Sequence, residues 1–263
     1  MNENVFDITC KNGYNTIMRT EELMKIALQA GEILLVSGAE IYRVEETILS
    51  IFSCNNSECE CFVLLTGIFI SAEDEDLKTF SLIKRIKGHS FDLNRIELIN
   101  SFSRNFHNES LTYSEAKKKL DCIAKAPRYK FGIRLLAAGI TSFVYTLLFK
   151  GSLIEGFTAF LVSIAVFTAK EKVSEFGLFQ FFEFFVSGLL VGVLSMASVR
   201  IYPEINIYKV IIGAVMILVP GVALTNGLKD ALYGDTVSSL YRLAEAVFVV
   251  VAVSAGVGII LAF

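Results

Sequence analysis

Leu218-Val219-Pro220-Gly221-Val222-Ala223-Leu224-Thr225-Asn226-Gly227-Leu228-Lys229-Asp230-Ala231-Leu232-Tyr233-Gly234-Asp235 opens inside an apolar run of membrane-spanning character and ends in polar residues. Pro220 is the one proline within any such run of the chain. Proline lacks a backbone donor and clashes with the preceding turn, so a helix must kink or break there, freeing carbonyls as ligands. Thr225, Asn226, Asp230 and Asp235 follow the break, and Gly221, Gly227 and Gly234 allow close backbone approach. A broken helix carrying polar groups at membrane depth is one way transporters build a substrate or ion site. A proline-kinked helix that simply ends in a polar loop is the other reading of the same residues.

Working outward, the 263 residues are 54% hydrophobic, with a mean hydropathy of +0.57. That exceeds the apolar share of an ordinary soluble domain and predicts a membrane protein. Charged residues concentrate before about Pro127, and long apolar runs follow. We therefore expect a cytosolic α+β domain over residues 1–127 and an all-α membrane domain of five transmembrane helices over 128–263. The net charge of −3 speaks against a nucleic-acid partner. Residues Met1 to Thr20 lack a basic start leading into an apolar core, so no signal peptide is read there. Cys54, Cys59 and Cys61 cluster without a nearby histidine and without usual zinc spacing, so no metal and no cofactor are expected. His89 and His107 read as surface residues. No phosphate-binding glycine loop or nucleophile elbow occurs, and no enzyme is expected.

In the polar half, Thr20 reads as a helix cap, and Leu23, Ile26, Ala27, Ala30, Ile33 and Leu34 recur at helical spacing. Ser37-Gly38 stops that helix. A second follows, with Ile41, Val44, Ile48, Leu49 and Phe52 on one face and Glu40, Arg43, Glu46 and Thr47 on another. Strand chemistry runs from Glu58 to Ser71 and again from Thr79 to Ile86, with Asp74, Glu75 and Asp76 as a solvated loop. Helices are expected over Leu93 to Phe106 and, from the capping box Thr112-Tyr113-Ser114-Glu115, to about Lys125.

Five apolar segments come next, at about 131–149, 152–169, 178–199, 208–225 and 243–263, each near the ~20 residues that cross a bilayer. Lys117, Lys118, Lys119, Lys125, Arg128 and Lys130 crowd the entry to the first, and Lys170 and Lys172 lie between the second and third. The positive-inside rule then puts the N-terminal domain in the cytoplasm, and the 226–241 connection on the same side. Gly188 and Gly192 form a GxxxG, and Ala252, Ala255, Gly256 and Gly258 give the last segment a small-residue surface, both suited to close helix packing. Glu155, Glu183 and Glu245 lie in or near apolar segments, where a charge is functional or sits at a helix end.

Three separated motifs, Gly31-Glu32-Ile33-Leu34-Leu35-Val36-Ser37-Gly38-Ala39-Glu40-Ile41-Tyr42-Arg43-Val44-Glu45-Glu46-Thr47, Thr66-Gly67-Ile68-Phe69, and Pro220 to Asp230 with Gly234-Asp235-Thr236-Val237-Ser238, closely resemble the threonine/serine exporter family. The resemblance runs in the same order over nearly the whole chain from Thr20. It implies the short, split form of that family, whose second half is a separate small membrane protein, in the cytoplasmic (inner) membrane. It implies secondary, proton-coupled export of threonine and serine, with dicarboxylates such as succinate as the alternative cargo. Ser239 departs from the family pattern, where glycine is usual, and so does the cysteine cluster.

On that basis the break at Pro220 and Gly221 exposes backbone to a cavity, where Thr225 and Asn226 meet the polar end of a small metabolite. Asp230 or Asp235 is the candidate proton carrier or ammonium partner, with Glu245 in reserve and Gly234 and Ser238 shaping the turn. Gly38, Glu40, Arg43, Glu45, Glu46, Thr66 and Gly67 form either a gating or regulatory surface or a plain packing element. A membrane-anchored sensor or enzyme domain is the competing class.

Overall fold

The computed structural model describes residues 18–53, 59–73, 77–106, 108–109, 111–127, 129–177 and 179–262. Cys54, Glu58, Asp74, Glu75, Asp76, His107 and Arg128, which figure above, lie outside that set. In order, the elements are α1 (Thr20–Val36), α2 (Ile41–Phe52), β1 (Cys59–Leu64), β2 (Gly67–Glu73), β3 (Thr79–Arg85), α3 (Leu93–Phe106) and α4 (Tyr113–Ala124). Then come α5 (Phe131–Leu148), α6 (Leu153–Glu175), α7 (Gln180–Ile201), α8 (Ile207–Val215), α9 (Gly221–Leu232) and α10 (Thr236–Leu261). They form two compact units, Met1–Arg128 with Lys229–Ser238, and Tyr129–Leu228 with Ser239–Phe263.

In the first unit, α1 and the three-stranded antiparallel sheet β1-β2-β3 enclose an aliphatic core that includes Met24, Leu34, Leu35, Ile48, Ile68 and Ile99, all fully buried. The helical spacing of Leu23, Ile26, Ala27, Ala30 and Leu34 puts all five on the face α1 buries. Arg19, not Thr20, occupies the N-cap position of α1, without a side-chain capping bond, and Thr20 is the first helical residue. Its end is a Schellman motif: Gly38 N–H donates to the Leu35 carbonyl at 3.2 Å and Ala39 N–H to that of Leu34 at 3.1 Å. Gly38 has φ +83°, and a Cβ there would meet the Phe91 ring at 2.6 Å, so glycine is required twice over. The segment read as one strand from Glu58 to Ser71 is a hairpin, because the chain turns at Leu65-Thr66 and pairs Leu64 with Gly67. The apolar residues on both sides of Thr66-Gly67, from Phe62 to Ile70, hide that turn from periodicity. α3 and the Thr112–Glu115 capping box of α4 are found as expected.

The second unit is helical. Among the described residues, four helices are long and apolar enough to cross a membrane: α5, α6, α7 and α10. The expected span at 208–225 is instead discontinuous. α8 has nine residues, roughly 14 Å at the helical rise and too short for a bilayer, and non-helical chain separates it from α9. Pro220 cannot donate to the ladder, so the chain turns over Met216 to Pro220, Gly221 N–H reaching the Val219 carbonyl at 2.8 Å. α9 then carries the expected connection to Leu232, and α10 starts at Thr236, two turns earlier than the apolar run alone indicates.

Gly188 and Gly192 do lie against α10: a Cβ at Gly188 would strike the Val253 carbonyl, and one at Gly192 would meet Ile260 at 2.8 Å. Gly256 packs against the Phe185 carbonyl from the other side, whereas Gly258 faces open space. Glu155 is the first-turn acid of α6, completing a capping box with Ser152 and accepting from Asn206 N–H at 2.9 Å. Arg134 makes a forked pair with Glu171 at 2.7 and 3.2 Å, joining α5 to α6.

Candidate functional site

Two of the sequence motifs meet inside the first unit, although their residues lie 189 positions apart. Glu40 is the N-cap of α2, but its side chain makes no capping bond there. Asp230 supplies one instead. Its Oδ1 accepts from Ile41 N–H at 3.1 Å, at a carboxylate with no exposure to solvent. A carboxylate at a helix N-terminus satisfies an orphan donor and meets the positive end of the helix dipole.

Around this cap four further contacts form. Lys229 Nζ donates to Glu40 Oε1 at 2.8 Å, and Arg43 approaches the other oxygen at 3.7 Å. The rings of Tyr42 and Tyr233 stack with centroids 4.0 Å apart and planes 13° from parallel. Glu45 Oε1 accepts from Val63 N–H at 3.1 Å, linking α2 to β1. The α9 terminus repeats the Schellman geometry of α1: Gly234, at φ +96°, donates to Ala231 at 3.2 Å and Asp235 N–H to Asp230 at 2.8 Å. This turn brings Asp235 near enough to Glu45 for their charges to repel.

The carboxylates divide by environment. Burial pushes Glu40 up, but the Lys229 hydrogen bond, a backbone donor and the charges of Arg43 and Lys229 outweigh it, leaving Glu40 below its ordinary value. Lys229 is raised by the same hydrogen bond. Burial raises Glu45, with Asp235 adding to the effect and the Val63 donor opposing it. Burial also raises Asp235. The thiols of Cys59 and Cys61 are pushed up to about 11 and about 12, chiefly by burial, which keeps them neutral at ordinary pH.

Glu40, Arg43 and Glu45 are therefore gathered with Asp230, Gly234 and Asp235, while Gly38 ends α1 against Phe91. Glu46 is exposed on α2, Thr66 lies in the β1–β2 turn, and Gly67 opens β2. Pro220, Gly221, Thr225, Asn226 and Glu245 belong to the second unit. There the Thr225 hydroxyl reaches the Gly221 and Val222 carbonyls, both at 3.0 Å, Asn226 is buried, and Glu245 is half-buried on α10. Ser238 is buried at the start of α10. The sequence reading missed Lys229, Tyr42 and Tyr233 as contact residues. The sole signal was their position inside the quoted motifs.

Helices long and apolar enough to span a membrane, one discontinuous apolar segment, and an α+β unit that includes residues 229–238 describe a polytopic membrane protein. A family model described as "Putative threonine/serine exporter" matches residues 25–263, and the chain belongs to that family. It is similar to a "Probable threonine/serine exporter" of Mycobacterium tuberculosis (strain ATCC 25618 / H37Rv), 19% identical over 244 residues that make up 91% of this chain and 46% of the relative. The chain thus spans about half the length of that curated relative. No solved structure matches.

Proposed function

We propose that this chain exports threonine and serine as one part of a two-part secondary transporter driven by the proton gradient. The observation that carries the reading is the docking of the Lys229–Asp235 segment onto the N-terminus of α2, which joins the two motifs of the exporter family through a buried carboxylate. A gate needs such a contact between a soluble element and the end of a discontinuous helix.

In this reading the soluble unit lies on the cytoplasmic face. The turn at Met216 to Pro220 leaves backbone groups for the substrate, and Thr225 keeps hydroxyl lone pairs for an ammonium group because its proton is already donated within α9. Asn226 provides both a donor and an acceptor. Asp230 fixes the geometry. Asp235 and Glu45 form the proton-responsive pair, with Glu245 as a further carrier on α10. In this reading a second membrane protein supplies the further helices that complete the transporter.

The test is efflux of labelled threonine, serine and succinate from cells carrying this chain, with and without the candidate second membrane protein, the proton gradient intact or collapsed. Gradient-dependent loss of threonine and serine that needs both proteins is expected. Transport of succinate alone would replace the cargo, and full transport by this chain alone would remove the second subunit.

A further inference from the structure

The sheet of the first unit buries one face, with Val63, Ile68 and Ile70 in the core, and leaves the other open. On the open face the register lines Phe62, Phe69 and Ile83 into one cross-strand row. Their exposures are 57%, 40% and 70%, an unusual cost for three large apolar side chains in a row. One adjacent row holds Glu60, Ser71 and Ser81, and the other Leu64, Gly67 and Arg85. An acid and a base thus stand at opposite corners of a small apolar patch.

We propose that this face pairs with the same face of a second copy of the chain. The corner charges choose the arrangement. Sheets pack face to face either nearly aligned or orthogonally. A two-fold axis along a strand sets Glu60 against the partner's Ser81, and one across the strands sets it against Leu64. A diagonal axis, the orthogonal arrangement, sets Glu60 against Arg85 of the partner subunit twice over. It also lays each Phe62 over the other copy's Gly67, where the absent side chain leaves room, and brings the two Phe69 rings together. This self-complementarity is what an isologous contact requires. The acids Glu60 and Glu73 on the same face make an anionic membrane surface a poorer occupant. The patch is small, so pairing depends on two chains held at high local concentration in one membrane.

The diagonal axis passes over Ser81, which makes it a direct reporter. In the full chain with its five native cysteines replaced by alanine, Ser81→Cys should cross-link to a dimer in membranes with a short bifunctional thiol reagent. Leu93→Cys, 71% exposed on α3, should not. Glu60→Arg should lower the Ser81 cross-link about tenfold, and adding Arg85→Glu should restore it. Energy transfer between differently labelled chains that retain their native cysteines gives a second readout if the cysteine-free protein folds poorly. Equal cross-linking at both positions, no recovery in the double reversal, or labelling of this face by a lipid-soluble photoprobe without dimers would each overturn the pairing.

Discussion

At Asp230 the chain asks one residue to end one helix and begin another. Its oxygen caps α2 and its carbonyl closes the α9 turn, so the hydrogen-bond acceptor matters there more than the charge. Asp230→Asn should therefore retain most export, whereas Asp230→Ala should cost about 1 kcal/mol of local stability, the usual loss for an N-cap. Hydrogen exchange over 41–52 and over 229–238 in the intact protein measures it. Glu45 and Asp235 respond to pH. Their ordinary values are 4.5 and 3.8, and both are raised in the folded protein, so the folded state holds the extra proton. Their stabilisation is complete below those ordinary values and is lost as pH rises through the folded ones. Glu40 runs the other way, its contribution present above 4.5 and lost as pH falls through its lowered value. Exchange protection of 229–238, corrected for intrinsic rates, should fall as pH rises from about 4 through the mildly acidic range. Asp235→Asn should flatten that fall. The sequence marked Asp230 and Asp235 together, but assigning one to capping and the other to titration needed their surroundings, which composition does not encode.

At the scale of elements, the break at Pro220 was legible because proline's missing donor is a local property. That the remainder forms α8 and α9, and that α9 continues to Leu232, depends on packing and on the Gly234 turn, and so was not. Pro220→Ala should let the helix ladder run on between α8 and α9 while lowering export. Helicity of a labelled segment and efflux would report the two effects separately. The GxxxG at Gly188 was legible as a packing surface, yet its partner was not, since small residues identify a close approach without naming the neighbour. Gly256→Leu would drive a side chain into the Phe185 carbonyl and should destabilise the second unit by at least 1–3 kcal/mol. A lowered melting temperature of the detergent-solubilised chain checks this.

For the whole molecule, hydropathy was enough to separate a polar half from an apolar one. It could not show that ten residues near position 230 belong to the compact unit built from the N-terminal half, because contacts at such sequence separation leave no periodic trace. That exchange of segments makes the central claim, that the two motifs act as one gate in an exporter, open to a reciprocal test. Glu40 and Lys229 form an ion pair at 2.8 Å in which the Glu40 side chain is 9% exposed. Threonine efflux should be measured for Glu40→Lys, Lys229→Glu and the double exchange, at matched membrane levels. Each single reversal is predicted to reduce efflux severely, by setting like charges together at a half-buried contact, and the double exchange to recover a substantial part. Singles that export like the wild type, or a double exchange no better than its singles, would contradict a gate formed by these two motifs.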